Sequence, residues 1–209
     1  TVVRGVNDHQ LGAILELALA DPAVKGVNFQ PAAAVGRFEV SDTGPMTIPE
    51  VLDAVEGQTE GEVGRDSFVT VPCPHPACSV ASYVYRDDDV TATLLDLVDT
   101  DAFMRHMADQ AVPFGQMVSE TIESAADVLE MADMVGEEVR GLACCPTGFR
   151  VPEVRELIDR VTLVTVHAFM DPGNFDVERA SKCCVTEVLP DGSMVPFCVY
   201  NNLRRHRGC

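Results

Sequence analysis

Apolar positions near the start of the chain predict a strand, a helix and a second strand. Residues 1–5 and 26–30 are short apolar runs typical of buried strands, and Pro31 ends the second run. Between them, apolar side chains recur at the spacing of one helix face, formed by Leu11, Ile14, Leu15 and Ala18. Because a strand, a helix and a strand with short connections form a βαβ unit, we expect the two strands to be parallel neighbours.

Polar side chains lie at the ends of both predicted strands. Asn7 and Asp8 follow the first strand, and Gln30 ends the second. The carboxyl ends of parallel strands are where α/β folds bind ligands, so we expect these three residues to contact a cofactor or substrate. Asn7 and Asp8 are also residue types that begin helices well, and helix capping is the alternative role for both.

The rest of the pattern predicts a mixture of helices and strands. Thr47 and Glu50 have the spacing of a capping box, so we expect a helix from there to about Gly57. Further elements are a strand at 68–71, several helices at 91–138, a helix at 152–160 and a strand at 161–166. An Asp-Gly pair at 191–192 separates two apolar runs and predicts a β-hairpin.

Acidic residues dominate the charge of the chain. The formal net charge is −18, from 33 acidic and 15 basic residues. Such a surface repels phosphate groups, so we expect no nucleic-acid partner. High acidity with only two lysines also favours solubility in concentrated salt, which points to a halophilic source; an acidic protein of an ordinary mesophile is the alternative.

The chain shows no sequence signal for a membrane or for secretion. It contains no apolar run long enough to cross a bilayer and no pattern of a secretory signal peptide. We therefore expect a cytoplasmic protein without a transmembrane segment. The first residue is Thr1 and a strand pattern begins at once, so we expect the chain to start inside a longer domain.

The chain has eight cysteines, and their spacing favours metal binding over disulfides. Four of them form two adjacent pairs, Cys144 with Cys145 and Cys183 with Cys184. Adjacent cysteines rarely form a disulfide with each other because the ring is strained, and chains of this length seldom depend on disulfides. A disulfide framework remains the alternative. Cys144 and Cys145 also fit a redox pair, a second site or a buried position.

The predicted hairpin brings two cysteines towards each other. A two-residue turn at 191–192 pairs Val185 with Cys198, which places Cys183 on the same face as Cys198. Their Cα atoms would then be about 7–8 Å apart. A bulge would reverse the facing and favour Cys184 instead.

Two further ligands are expected from a proline-rich loop. Cys73 and Cys78 have Cys-x4-Cys spacing, and the prolines of this segment reduce the entropy lost on ordering it. We therefore predict that Cys73, Cys78, Cys183 and Cys198 hold an iron–sulfur cluster. A zinc site with the same four thiolates fits equally by ligand type, and His75 is an alternative ligand.

Two polar residues follow the predicted strand at 161–166. His167 and Asp171 lie just past its end, where they can face a substrate. A histidine at such a place is more often held by hydrogen bonds in a structural role, and this is the interpretation we favour for His167.

Several segments resemble radical S-adenosylmethionine enzymes. Residues 1–12 are similar to a late strand and helix of the barrel of these enzymes, and residues 26–31 with 36–37 are similar to the next strand and loop. The carboxy-terminal part resembles the archaeal tetraether lipid synthase group, in the segments 167–172, 174–176, 183–184, 190–192 and 196–198. The Pro-Asp-Gly and Pro-Phe-Cys pattern of the last two segments is the most specific part of this resemblance.

The resemblance implies an α/β fold in two parts. Residues 1–66 would be the end of a partial (β/α)6 barrel, and residues 67–209 an α+β, cysteine-rich extension with a helical insert at 91–138. The extension would hold an auxiliary 4Fe–4S cluster. S-adenosylmethionine and a second 4Fe–4S cluster would belong to the full-length protein, because this chain has no Cys-x3-Cys-x2-Cys motif and would be inactive alone.

The resemblance further implies an enzyme that joins unactivated carbons of lipid chains. Its partners would be a lipid or small-molecule substrate and an electron donor protein, with peripheral contact to a membrane. One alternative is a radical S-adenosylmethionine methyltransferase acting on a pterin-like cofactor. The other is a non-enzymatic module that binds zinc or an iron–sulfur cluster.

Overall fold

A computed structural model describes residues 1–36, 44–71, 75–87, 90–93 and 160–204. The chain divides into two compact units, residues 1–82 with 162–209 and residues 83–161. Most of the helices predicted at 91–138 and 152–160 lie outside the described residues, as do Cys73, Cys144 and Cys145.

The order of elements is that of a mixed α/β protein. The first unit contains α1 (Leu11–Ala20), β1 (Gly26–Phe29), α2 (Ile48–Gln58), β2 (Val69–Thr70), the start of β3 (Ser79–Asp87), nearly all of β5 (Val161–His167), α3 (Val177–Ser181), β6 (Thr186–Val188), β7 (Met194–Pro196) and α4 (Phe197–Val199). The second contains the end of β3 and β4 (Val90–Thr93). Short 3-10 turns lie at Asp8–Gln10 and Arg65–Ser67, and a π-helical turn at Tyr200–Arg204 follows α4.

The sheet combines parallel and antiparallel pairs. β1 pairs with β5 in parallel, from Gly26 opposite Leu163 to Phe29 opposite Val166. β2 pairs with β3 antiparallel, and β5 lies between β1 and β3. The predicted strands at 26–30, 68–71 and 161–166 are thus confirmed in slightly different bounds. The fold is α/β with a mixed sheet; the partial barrel stays a prediction.

The strand predicted at residues 1–5 is wrong in its extent. Only Val2 pairs, in an isolated parallel bridge with Pro31. The chain then turns, because the N–H groups of Val6 and Asn7 both donate to the carbonyl of Val3. Gly5 has a φ of +73° within this turn, a conformation that glycine adopts without steric cost. The two chain segments therefore run parallel as predicted, but they pair through a single bridge.

Residues 91–93 correct the prediction of helices at 91–138. They belong to β4, which pairs antiparallel with β3 from Val84 opposite Thr93 to Asp87 opposite Val90. The sequence of β4, Val-Thr-Ala-Thr, is rich in β-branched residues, which favour strands. In the same unit the N–H of Arg86 donates to the carbonyl of Arg160.

The carboxy-terminal hairpin forms as predicted, but its register differs by one residue. Glu187 lies opposite Val195 and the N–H of Leu189 donates to the carbonyl of Ser193, so residues 190–192 form a three-residue loop. Gly192 has a φ of +81°, which a three-residue hairpin loop requires at its last position. The predicted two-residue turn is therefore wrong, and so is the direct pairing of Val185 with Cys198.

Helices α1 and α2 pack closely against each other. Their buried apolar side chains are Leu11, Leu15 and Ala18 from α1 and Val51, Leu52 and Val55 from α2. Ile14, which the pattern placed on the same face, is 38% exposed. The Gln58 side chain accepts a hydrogen bond from the Gly12 N–H (3.0 Å) and donates to the Asp8 carbonyl (2.7 Å), which satisfies backbone groups at the start of α1.

The described residues contain no helix that is long and apolar enough to cross a membrane.

Replacing Gly12 should loosen the contact between the two helices. A Cβ atom at Gly12 would lie 2.7 Å from both the Cβ and the carbonyl oxygen of Gln58, which is too close for real atoms. We expect Gly12→Ala to lower the free energy of unfolding by about 1–3 kcal/mol, measured by urea denaturation. Gly57 in α2 is the matched control because a Cβ atom added there would have no neighbour within 4 Å. Gly57→Ala should raise stability by about 0.5–1 kcal/mol, and equal effects of the two substitutions would contradict the close contact.

The carboxylate of Glu50 should contribute stability that depends on pH. Hydrogen bonds from the Thr47 N–H (2.8 Å) and from Arg4 Nη2 (2.7 Å) lower the pKa of Glu50 from 4.5 to about 2. The charged form is thus favoured in the folded state. Its contribution is present above about pH 4.5 and disappears as the pH falls towards 2.

Glu50→Gln tests this contribution. Because the Glu50 side chain is 42% exposed, solvent screening reduces its effect, and we expect a loss of only about 0.5–1 kcal/mol at pH 7. Urea denaturation should show that the difference from the native chain shrinks by pH 2.5. A difference that stays constant or grows on acidification would be inconsistent with the lowered pKa.

Candidate functional site

Three of the four cysteines predicted as metal ligands lie in one region of the first unit. Cys78, Cys183 and Cys198 all carry free thiols, and Cys78 and Cys198 are buried. Burial raises the pKa of the Cys198 thiol, and repulsion from the thiolates of Cys183 and Cys78 raises it further. A charge shifts the pKa of another group only at short range. Cys78 therefore acts on Cys198 although the two residues are 120 positions apart in the sequence.

Cys198 lies on the short helix α4, in a small apolar cluster. Its sulfur accepts a hydrogen bond from the N–H of Met170 at 3.4 Å. The buried members of the cluster are Met170, Ala180 and Cys198, and the side chains packed against them are Phe169, Phe175, Phe197 and Val199. The Phe169 and Phe197 rings lie 4.6 Å apart between centroids. The cluster therefore shields the Cys198 sulfur from water.

The backbone just past β5 contacts each part of this region. The N–H of Ala168 donates to the carbonyl of Cys78 at 2.9 Å, and the Ala168 carbonyl accepts from Arg179 Nη2 at 3.5 Å. The Met170 carbonyl accepts from Asn202 Nδ2 at 3.0 Å. Residues 168–170 thus join the loop before β3, helix α3 and the carboxy-terminal turn.

Arg179 is a component of the site that the sequence interpretation missed. It lies on α3, where the Asp176 side chain caps the helix by accepting the Arg179 N–H at 3.0 Å. The guanidinium Nη2 lies 3.3 Å from the Cys78 sulfur and donates to it. Its position on a short helix just ahead of Cys183 was the available signal, because a cation so placed can reach a thiolate cluster.

Cys183 and Cys184 have different surroundings. The Cys183 thiol is half-buried and donates to the Val185 carbonyl at 3.3 Å, whereas the Cys184 side chain is exposed. A shifted register was expected to favour Cys184 as the partner of Cys198. However, the paired strands end at Thr186 and Pro196, and the chain enters α4 at Phe197. The alternation of a strand therefore does not apply at the cysteines, and Cys183 acts on Cys198.

The described thiols do not form a complete metal site. Within the ranges that the structure describes, no group of three or more His, Cys, Asp or Glu side chains is arranged to hold a metal ion. The fourth predicted ligand, Cys73, lies outside those ranges. Free thiols are the ligand type of both iron–sulfur clusters and zinc, and the four-cysteine set stays a prediction.

His75 shapes the turn that leads to Cys78. Its Nδ1 accepts the Ala77 N–H at 3.1 Å, and its carbonyl accepts the Cys78 N–H at 2.9 Å. The histidine itself therefore orders the approach to Cys78. A role for His75 as a metal ligand stays a prediction.

Asn7 and Asp8 form local hydrogen bonds instead of capping a helix. Asn7 Oδ1 accepts the Val3 N–H at 2.7 Å, and Asp8 Oδ2 accepts the Gly5 N–H at 3.0 Å. Neither the 3-10 turn nor α1 has a side-chain cap, so the capping alternative is wrong. Instead, the side chain of Gln58, which is distant in the sequence, accepts the Gly12 N–H at the start of α1.

The third predicted cofactor contact, Gln30, adjoins this amino-terminal turn. Its carbonyl accepts the Val2 N–H at 2.7 Å, beside the bridge of Val2 with Pro31. Asn7, Asp8 and Gln30 therefore all lie close in sequence to the parallel bridge between Val2 and Pro31. Contact of these side chains with a cofactor stays a prediction.

His167 and Asp171 are both held by the protein. His167 Nδ1 is hydrogen-bonded to the Ser79 hydroxyl, and burial lowers the pKa of His167, with a further contribution from Arg179. Asp171 is 4% exposed, and its carboxylate accepts the N–H groups of Ala34 (3.2 Å) and Gly173 (2.9 Å). The structural role favoured for His167 is confirmed, and the buried Asp171 likewise links two loops.

A known enzyme is similar to this chain along most of its length, although no family model matches it. The chain is 27% identical over 245 aligned positions to a 7,8-dihydro-6-hydroxymethylpterin dimethyltransferase of Methanocaldococcus jannaschii. The alignment covers 98% of this chain and 47% of the relative, so the chain spans about half the length of that protein. The chain is therefore similar, along almost all of its length, to part of a pterin-modifying enzyme.

Proposed function

We propose that this chain is part of a radical S-adenosylmethionine methyltransferase that acts on a pterin-like compound. The observation that carries the proposal is the 27% identity to a pterin dimethyltransferase, which extends over 98% of the chain. That length includes residues 1–12 and the carboxy-terminal hairpin region, two parts that resemble radical S-adenosylmethionine enzymes. The similarity to one relative therefore extends over both of these parts of the chain.

The comparison favours methylation over the lipid chemistry expected first. The resemblance of the carboxy-terminal segments to the tetraether lipid synthase group rests on short motifs, whereas the similarity to the pterin enzyme covers 98% of the chain. The pterin methyltransferase, first an alternative, is therefore the function we propose. Joining of lipid carbons stays a prediction from the motifs.

Within this function, Cys78, Cys183 and Cys198, together with Cys73, would hold an iron–sulfur cluster. The support is that all three thiols are free, and that the charges of Cys183 and Cys78 add to burial in raising the pKa of Cys198. A cluster bound there would carry electrons. S-adenosylmethionine and a second cluster would be bound by the full-length protein, and an electron donor protein would be its redox partner.

The residues of this chain would prepare the region for such a cluster. The aromatic rings of Phe169 and Phe197 cover the Cys198 side and keep water away. The Met170 N–H donates to the Cys198 sulfur and stabilises its thiolate form. Low exposure and hydrogen bonds to sulfur are the features by which proteins adjust the potential of a cluster.

The function is tested with the full-length protein. Under anaerobic conditions, with a reductant and S-adenosylmethionine that carries a labelled methyl group, we expect the label to enter 7,8-dihydro-6-hydroxymethylpterin. Mass spectrometry of the pterin products measures this transfer. Coupled lipid chains without any labelled pterin would overturn the proposal in favour of lipid chemistry, and a protein inactive on both substrates would overturn both.

The ligand set is tested by removing single cysteines. Cys198→Ala should lose most of the iron of this cluster, because one of four thiolates is missing and the remaining three bind far more weakly. The control is Cys184→Ala, whose exposed side chain should leave the iron content unchanged. Iron analysis and absorption spectra measure the result. Equal iron in the two variants would contradict the ligand set, and a colourless, zinc-loaded protein would support the binding-module alternative.

A further inference from the structure

One face of the sheet carries polar side chains on two neighbouring parallel strands. Side chains along β5 alternate between buried and half-buried positions, and Thr165 and His167 lie on the half-buried face. In the parallel pair of β1 with β5, Asn28 lies beside Thr165. The same register, continued by one residue, places the half-buried Gln30 beside His167 on that face. These four side chains therefore form two adjacent rows across β1 and β5.

The second row continues onto β3. The Ser79 hydroxyl is hydrogen-bonded to His167 Nδ1, and the N–H of Ala168 donates to the carbonyl of Cys78, so the start of β3 lies along the end of β5. Gln30, His167 and Ser79 thus lie across three adjacent strands of the first unit. We call the five side chains on this face the polar row: Asn28, Gln30, Ser79, Thr165 and His167.

The polar row consists of neutral groups. It contains two amides, two hydroxyls and one imidazole, and burial lowers the pKa of the imidazole, which favours its uncharged form. The chain as a whole has 23% charged residues, and a sheet face that meets only water usually carries some of them. In the polar row, Asn28 is exposed and the other four residues are half-buried. The face therefore offers hydrogen-bond donors and acceptors without a full charge.

The position of the polar row is one at which sheets of this class bind ligands. Gln30 and His167 lie at the carboxyl ends of two adjacent parallel strands. The fold also holds parts of the row in place, because the His167 ring contacts the Phe169 ring edge-on at 4.6 Å between centroids. The Thr165 hydroxyl donates to the Val27 carbonyl at 3.4 Å. Side chains that are already ordered lose little entropy when a ligand binds.

We propose that the polar row binds the ring of the pterin-like substrate. The inference rests on the proposed function, which supplies the class of substrate. The pyrimidinone part of a pterin is an uncharged ring whose edge carries both hydrogen-bond donors and acceptors. The amides of Asn28 and Gln30 each provide donors and an acceptor, so they match such an edge. Because both partners are neutral, binding removes no full charge from water.

The test is a binding titration of the full-length protein with 7,8-dihydro-6-hydroxymethylpterin. Isothermal titration calorimetry without a reductant measures Kd in the absence of turnover. Asn28→Ala and Gln30→Ala should each raise Kd about threefold to tenfold, because each removes a hydrogen bond to the ring. Gln30→Glu keeps the size of the side chain but replaces its donors with a negative charge, and it should weaken binding at least as much. Circular dichroism checks the fold, and the exposed Asn28 decides if a Gln30 variant fails to fold.

Gln10→Ala is the matched control. Gln10 is exposed at the start of α1, where its side chain forms no cap, so the substitution removes an amide outside the polar row. Its Kd should equal that of the native protein. Equal weakening in Gln10→Ala and Gln30→Ala would mean that the effect is not specific to this face, and it would overturn the inference.

Titration with S-adenosylmethionine separates the substrate from the cofactor, since adenine is also an uncharged ring with donors and acceptors. We expect its Kd to stay unchanged in the Asn28 and Gln30 variants. Weaker binding of S-adenosylmethionine alone, or an unchanged Kd for the pterin in folded variants, would overturn the inference and leave the function intact. A native protein that does not bind the pterin would overturn the function and the inference together.

Discussion

The backbone of residues 168–170, just past β5, holds the candidate site together. Its N–H and carbonyl groups bond to Cys78, Arg179, Cys198 and Asn202, which come from three separate segments of the chain. Buried backbone groups must find partners, and here the partners are the elements that carry the thiols. Since β5 is fixed through its parallel pairing with β1, the position of these three residues follows from the sheet. The positions of Cys78 and Cys198 therefore depend on the α/β core.

Much of the local structure could be predicted from the sequence, because its signals are short-range. The capping box of Thr47 and Glu50 predicted the start of α2 correctly, and the alternating burial of β5 matches its predicted strand. The hairpin was also predictable, but its loop length was not. An Asp-Gly pair fits a two-residue turn and also the end of a three-residue loop, with a positive φ at the glycine in both, and the pairing of Leu189 with Ser193 distinguishes them.

Long-range contacts explain what the sequence could not predict about the site. Asn7 and Asp8 had the right chemistry for helix caps, yet Gln58, which is 46 positions from Gly12, supplies the bond at the start of α1. Likewise, Arg179 reaches the sulfur of Cys78 across 101 positions. We expected Cys78, Cys183 and Cys198 to lie in one region because of their ligand chemistry. We expected Cys183 to face Cys198 because side chains alternate along a strand. The structure places it instead through the irregular turn before β6.

The buried Asp171 connects two loops at one edge of the sheet. Its buried carboxylate joins the loop after β1, at Ala34, to the loop after β5, at Gly173. These loops follow two adjacent parallel strands, the edge at which α/β proteins commonly receive small molecules. A molecule bound beside Ala34 and Gly173 would therefore order less backbone, and lose less entropy, than it would between two unconnected loops.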